Sequence, residues 1–233
     1  KRKPEVTTAI VECVSEVCRQ AGCALIGGEI AEMPGFYPEG EYDLAGFVVG
    51  SVKQDEVING SAITPGDVII GLRSSGLHSN GYSLARAIIE RERLPLEASF
   101  EGLSCPLGEE LLCPTRLFVA PIRALMAALP VKGMAHITGG GLPGNLVRIL
   151  PKGCVARIEK ASVPVLPIFD LLQHYGATPL DEMYKTFNMG VGFTVVVAAS
   201  DASRAMEVLS SSGEAPVILG VITPGDEPHV ELV

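Results

Sequence analysis

Residues 131–150 read VKGMAHITGGGLPGNLVRIL, and the fold turns on how this stretch is understood. Val131–Thr138 has the apolar content of a strand, and Gly139-Gly140-Gly141-Leu142-Pro143-Gly144 follows it. On paper this is G-x-G-x-x-G after a strand, with Glu159 about 20 residues on, the pattern of a dinucleotide-binding βαβ unit. The spacing argues against it. Ten residues separate Gly144 from Val155, and Pro143 and Pro151 confine any helix between them to under two turns. A full crossover helix barely fits such a gap. The glycines therefore read as a phosphate-facing or purely structural turn, followed by a short helix over Asn145–Leu150 and a strand over Cys154–Glu159. An NAD-dependent oxidoreductase would rest on this hexad alone.

A second loop of the same kind lies upstream. Ser74-Ser75-Gly76-Leu77-His78-Ser79-Asn80-Gly81 sits between a strand at Asp67–Leu72 and a helix at Tyr82–Arg93. Small residues let backbone approach a ligand, and His78 and Asn80 add side-chain donors. Taken alone it is equally a capped turn; two such loops in one chain favour phosphate binding. No G-x-x-x-x-G-K-[ST] occurs, so an ordinary P-loop is excluded.

Outward from these loops, Val6–Ala21 repeats apolar residues at three- and four-residue steps between Pro4 and Gly22, predicting an amphipathic helix. Strands are predicted at Cys23–Gly27 and Asp43–Val52, flanking a loop that carries Glu29, Glu32, Glu39 and Glu41. Carboxylates on such a loop suit magnesium held together with a polyphosphate, and Glu29, fixed at a strand end, is the best candidate. Glu39 and Glu41 read as solvated. A domain boundary is placed at 60/61 in a polar stretch with a Thr-Pro-Gly turn, giving domains 1–60 and 61–233. Downstream, 94–114 reads as irregular, Thr115–Leu129 as a helix that must take Pro121 in its first turn or kink there, and Val165–Tyr175 as a helix. Thr186–Gly192 leads into a strand at Gly190–Ala199, then an Asp-capped helix at Asp201–Ser212 and a strand at Ala215–Ile222. His136 reads as a satisfied core residue. The mixture is α/β or α+β.

With 233 residues, 47% of them hydrophobic, the chain can bury a sizeable core. A formal charge of −9 argues against nucleic-acid binding, and the basic start Lys-Arg-Lys-Pro reads as a solvated terminus. No apolar run reaches the roughly 18–20 residues of a membrane span, and no signal-peptide stretch is present. The six cysteines include no C-x-x-C pair, so they read as reduced, mostly buried thiols of a cytoplasmic protein.

Five strings taken together carry a resemblance: Gly27-Gly28-Glu29-Ile30-Ala31-Glu32-Met33-Pro34-Gly35, Tyr42–Phe47 (YDLAGF), Ser74–Leu84 (SSGLHSNGYSL), His136–Gly141 (HITGGG) and Glu182–Gly192 (EMYKTFNMGVG). Spanning nearly the whole chain in order, they resemble the phosphoribosylformylglycinamidine cyclo-ligase, or aminoimidazole ribonucleotide synthetase, family of purine biosynthesis. The resemblance implies a two-domain α+β fold with a dimerising N-terminal domain, hence a homodimer. It implies ATP and magnesium as cofactors and a small ribonucleotide as substrate. ATP activates the formyl oxygen of formylglycinamidine ribonucleotide as a phosphate ester, and a nitrogen of the amidine closes the imidazole. Carried over by position, His78 and Asn80 would contact substrate or the transferring phosphate. Glu29 and Asp43 would lie near the metal and nucleotide, with Glu29 on the metal. Thr138, Gly139, Gly140 and Gly141 would face the ribonucleotide phosphate, and Asn188 would contact the pocket.

The chain departs from the family at Ile30, where Thr is usual, and at Val147, where Pro is usual; neither removes a charge. It also opens, without Met, after a glycine-rich segment with a lysine and an Asp/Asn-bearing strand that family members carry upstream. The expectation is a chain lacking the N-terminal third and inactive or impaired alone. A non-catalytic binding or dimerisation remnant is one alternative. Another is a different ATP-using member of the superfamily, such as formylglycinamidine synthetase, thiamine monophosphate kinase, selenophosphate synthetase or the hydrogenase-maturation protein.

Overall fold

The computed structural model describes residues 3–233, so Lys1 and Arg2 of the basic start lie outside the described residues. By its internal contacts the chain divides between Val57 and Ile58 into two units.

In the first unit, α1 spans Pro4–Ala21, with proline in its first turn and Glu5 beside it. Gly22 stops it in the left-handed conformation (φ 66°), its N–H and that of Cys23 closing on the carbonyls of Arg19 and Cys18. The predicted strands at Cys23–Gly27 and Asp43–Val52 do not form: among the described residues this stretch has no ladder partner. Extended backbone becomes a strand only when a neighbour takes its N–H and C=O groups. The unit leaves Ile26, Phe47, Val48 and Val49 more than nine-tenths exposed. Five of the six thiols also contradict expectation in part or whole: Cys13 and Cys23 are exposed, Cys18, Cys105 and Cys113 are half-buried, and only Cys154 is fully buried.

The second unit is built on a six-stranded sheet of order β2-β4-β1-β5-β3-β6. The strands are β1 (Val68–Arg73), β2 (Gly133–His136), β3 (Cys154–Ile158), β4 (Val191–Val197), β5 (Val217–Pro224) and β6 (His229–Leu232). Every neighbouring pair is antiparallel except β3 and β6. This settles the class as α+β and removes the dinucleotide reading, because β2 is an edge strand whose neighbour runs the opposite way. The helices are α2 (Tyr82–Glu92), α3 (Leu107–Leu111), α4 (Val119–Ala128), α5 (Gly141–Leu146), α6 (Pro167–Gly176), α7 (Leu180–Thr186) and α8 (Ala202–Ser211).

Alternation along β1 splits the core in two. Val68, Ile70 and Leu72 join Val195, Val197 and residues of α4 and α8, such as Leu125 and Leu209. Ile69 faces the other way, into a larger cluster with Ile88, Leu142, Leu146, Phe169 and Phe187. Pro121 sits in the first turn of α4 and is buried there, so no kink is needed. The Asp cap of α8 is not realised: Asp201 occupies the cap position with helical backbone and its side chain makes no capping bond. His136 is likewise not a core residue; it lies exposed at the end of β2, stacked on Phe193.

Close sheet packing leaves no room at Gly220, where an added Cβ would lie 1.9 Å from the Arg157 carbonyl oxygen on β3. Backbone cannot yield as a side chain can. Gly220→Ala is expected to destabilise the chain by about 3 kcal/mol, read as a lower urea midpoint; an unchanged midpoint would contradict this packing.

Candidate functional site

The sheet's directions decide what meets at its end. Since β1 and β2 are both antiparallel to β4, the segments leaving β1 and β2 emerge where β4 begins. Residues 74–81, 137–140 and 186–190 therefore share one end of the sheet. Two backbone bonds tie them: the Ser74 N–H donates to the Gly190 carbonyl and the Ile137 N–H to the Gly192 carbonyl, both at 2.9 Å.

Asn188 locks the first loop from below. It is 1% exposed. Its Oδ1 accepts from Ser74 Oγ and from the Gly190 N–H, and its Nδ2 donates to the Gly76 carbonyl, each at 2.8 Å. The side chain is committed to backbone and to Ser74, which places it as a strut of the loop.

His78 is also turned inward. At 2% exposure, its Nε2 accepts the backbone N–H of Ser75 at 2.9 Å and that of Arg116 at 3.3 Å. The remaining ring proton belongs on Nδ1, which is buried and unpaired. Arg116 continues the tie outward, donating to the Gly213 carbonyl and pairing with Glu214 at 3.2 Å. Burial pushes the Glu214 carboxyl upward, against the pull of Arg116. For His78, burial chiefly, with the nearby His136 and Arg116, lowers the imidazole from 6.5 to about 4. A neutral, buried ring holding two amides is built to hold the loop, and its backbone accepts the strain of φ 52°.

Asn80 joins the two loops. Its Nδ2 donates to the His78 carbonyl at 2.6 Å and its Oδ1 accepts the Gly139 N–H at 2.9 Å. The glycine segment then turns through left-handed backbone at Gly140 (φ 100°) and Gly141 (φ 60°). Gly141 is sterically required, because a Cβ there would lie 1.8 Å from the Tyr184 carbonyl oxygen. The helix α5 begins at Gly141, so the second half of the expected glycine loop is helical. Asn145, which the sequence reading passed over, is 4% exposed and donates from Nδ2 to the carbonyls of Gly141 (2.8 Å), Thr138 (3.2 Å) and Gly139 (3.3 Å). Thr138 Oγ1 donates to its Oδ1 at 3.1 Å. The signal that could have found Asn145 is a lone amide one turn after a glycine run, with no polar neighbour to satisfy it.

His78, Asn80, Thr138, Gly139, Gly140, Gly141 and Asn188 thus come together in one unit. Glu29 and Asp43 lie in the other, both exposed, with Asp43 Oδ2 accepting from the Tyr37 hydroxyl at 3.3 Å. Among the described residues no three His, Cys, Asp or Glu side chains converge as a metal cage. The donors fit magnesium only in its polyphosphate mode, in which protein gives one or two carboxylates and the phosphates give the rest. Beside the first loop lies a cavity of about 540 Å³, lined by Ser75, Cys105, Glu110, Cys113 and Leu166 among others, which includes none of the glycine residues 139–141. The cluster itself holds neutral polar groups and backbone. Its Ser75 Oγ lies 2.9 Å from His78 Nε2. The hydroxyl donates to the Pro114 carbonyl and the ring nitrogen accepts the Ser75 and Arg116 amides, so the pair is tied up in holding the loop. The cluster can position and orient a ligand.

Residues 64–233 match the family described as AIR synthase related protein, C-terminal domain, and residues 1–52 match the AIR synthase related protein, N-terminal domain. The chain is 49% identical over 233 residues to the phosphoribosylformylglycinamidine cyclo-ligase of Paraburkholderia phymatum, covering 99% of this chain and 65% of that protein. It is 50% identical over 226 residues to the one from Geobacillus kaustophilus, covering 97% and 65%. The chain therefore spans about 65% of the length of these curated relatives. Among solved structures it is similar to E. coli HypE, a hydrogenase maturation protein, with TM-score 0.61 and 19% identity over 99% of this chain and 65% of that one. It is similar also to a HypE in complex with ATP, with TM-score 0.51 and 19% identity over 76% and 50%. At such identities these structures support the fold.

The buried His78 sets a pH dependence. Its folded value is depressed, so above about 6.5 the ring is neutral in both states and its contribution is complete. As pH falls from 6.5 toward 4 the unfolded chain takes up the proton first, and stability is lost across that window. The expected loss is on the order of 2–3 kcal/mol, read by urea unfolding between pH 7.5 and 4, with a shallower slope in His78→Gln. An imidazole that titrates near 6.5 by NMR in the folded chain would contradict the burial.

Proposed function

This chain belongs to the AIR synthase related protein family, and we propose that it serves the ATP-dependent closure of formylglycinamidine ribonucleotide to aminoimidazole ribonucleotide. The fold is the α+β fold of that family, with both of its domains represented. The observation that carries the proposal is the identity of about half over 93–99% of the chain to relatives that bear the cyclo-ligase name. The two-loop cluster supports it, since the strings at its centre are the ones that fix its geometry.

In this reading the loop of Thr138 and Gly139–Gly141 receives the ribonucleotide phosphate, and Asn80 lies beside it. His78 and Asn188 act from behind by holding the first loop in register. Closing an imidazole from one bound molecule is a problem of positioning, in which orienting the reacting atoms removes much of the barrier. Phosphoryl transfer to the formyl oxygen likewise depends on alignment and charge neutralisation more than on covalent help from the protein. ATP is the phosphoryl donor, in keeping with the ATP complex of a HypE that shares the fold. Magnesium would be held by Glu29, with Asp43 near the nucleotide, and would neutralise polyphosphate charge. A homodimer working in the cytoplasm completes the proposal.

Titration calorimetry of the 233-residue chain with formylglycinamidine ribonucleotide is expected to show binding that Asn80→Ala weakens about tenfold, roughly the loss of one useful hydrogen bond. Glu29→Gln is expected to leave that binding intact and to weaken Mg–ATP binding. Equal affinity for thiamine monophosphate, or no affinity for the ribonucleotide, would overturn the assignment.

A further inference from the structure

The side chain with the most bonds to the glycine segment is Asn145, which the resemblance left without a role. One end of it is surrounded by three carbonyl oxygens, those of Thr138, Gly139 and Gly141, which fixes that end as the NH2 group. The other end accepts from Thr138 Oγ1, which prevents the amide from rotating by half a turn without loss. At 4% exposure Asn145 is buried, so water is a poor substitute for these bonds.

The consequence follows from the planar trans peptide. In such a unit the carbonyl of one residue and the N–H of the next point in opposite directions. The Thr138 carbonyl points toward Asn145, so the Gly139 N–H must point away, and it does: it meets Asn80 Oδ1 at 2.9 Å. By the same geometry the Gly139 carbonyl, drawn to Asn145, turns the Gly140 N–H away from Asn145. The left-handed backbone at Gly140 and Gly141 allows the turn. Carbonyl oxygens, which would repel an anion, are thereby gathered on one side and covered by the amide.

We propose that Asn145 is a positioning residue for the ribonucleotide phosphate: by gathering the three carbonyls inward it presents the Gly140 N–H outward to the anion. This rests on the reading of the loop as phosphate-facing. Asn145 touches no ligand itself and acts through the backbone it holds. Asn145→Asp is nearly isosteric but replaces the NH2 with an oxygen facing three carbonyls. Asn145→Ala removes the clamp without adding charge, and covers the case in which the carboxylate prevents folding.

The test is an amide-resolved NMR titration of the 233-residue chain with ribose 5-phosphate. Wild type is expected to show a shift at the Gly140 amide, and both variants a loss of affinity of at least tenfold. Asp67→Asn breaks the ion pair of the buried Asp67 with the half-buried Lys132 at the far end of β1 and serves as the control for lost stability alone. It is expected to keep wild-type affinity at a comparable fall in Tm. If both Asn145 variants bind as wild type does, the positioning role is overturned and the loop assignment stands. If wild type shows no shift at Gly140 at saturation, the loop assignment itself fails and takes the role of Asn145 with it.

Discussion

The pairing of β4 between β1 and β2 is the constraint on which the rest depends. Both outer strands run against it, in the registers Gly71↔Thr194 and Ala135↔Thr194, so a single residue of β4 faces both. That arrangement delivers two glycine-bearing loops, 60 residues apart in sequence, to the same end of the sheet, with the entry to β4 between them. A parallel βαβ arrangement would also place loops at one end, but it would need the crossover helix that the gap after Gly144 has no length to form. The edge position of β2 and the brevity of α5 are two sides of one fact.

Given that frame, the loops are fixed by amides more than by charges. Asn80, Asn145 and Asn188 satisfy backbone groups that helix and sheet leave open, and His78 does the same as a neutral ring. Neutral groups bear burial at far lower cost than ions, and each bond made inside the protein is one that an approaching phosphate need not organise. The paired charges stand at its margins: Asp67 with Lys132 at the start of β1, and Glu214, where α8 ends, with Arg116, whose backbone N–H bonds His78. The site is thus stiff, uncharged and rich in backbone, as a surface that positions an anion should be.

Much of this was legible in the sequence, and the failures have physical causes. The strands of the second unit could be read because apolar runs such as Val68–Leu72 and Val191–Val197 are buried on both faces, and the glycine loops because nothing else explains such spacing. The helices α3 and α7 were missed, each being seven residues or fewer and bounded by proline, too short for a period to show. Strand β6 was missed because only Val230 and Leu232 face the core. His136 was misjudged because β2 ends at it, where the sheet no longer covers it. Cys23–Gly27 and Asp43–Val52 have strand-like composition, yet composition supplies no hydrogen-bonding neighbour. In the site, sequence could name Asn80, Gly139 and Asn188 but not say what they bond. Asn145 stayed hidden because its work is done entirely through the backbone of other residues.

The central claim is that the two loops act as one binding surface. The most direct test is to follow the backbone amides of residues 74–81 and 137–141 together while formylglycinamidine ribonucleotide is added. The account predicts that both sets move along a single saturation curve, with the amides around Cys105 and Cys113 undisturbed. Two separate affinities, or changes confined to the cavity beside Ser75, would contradict it.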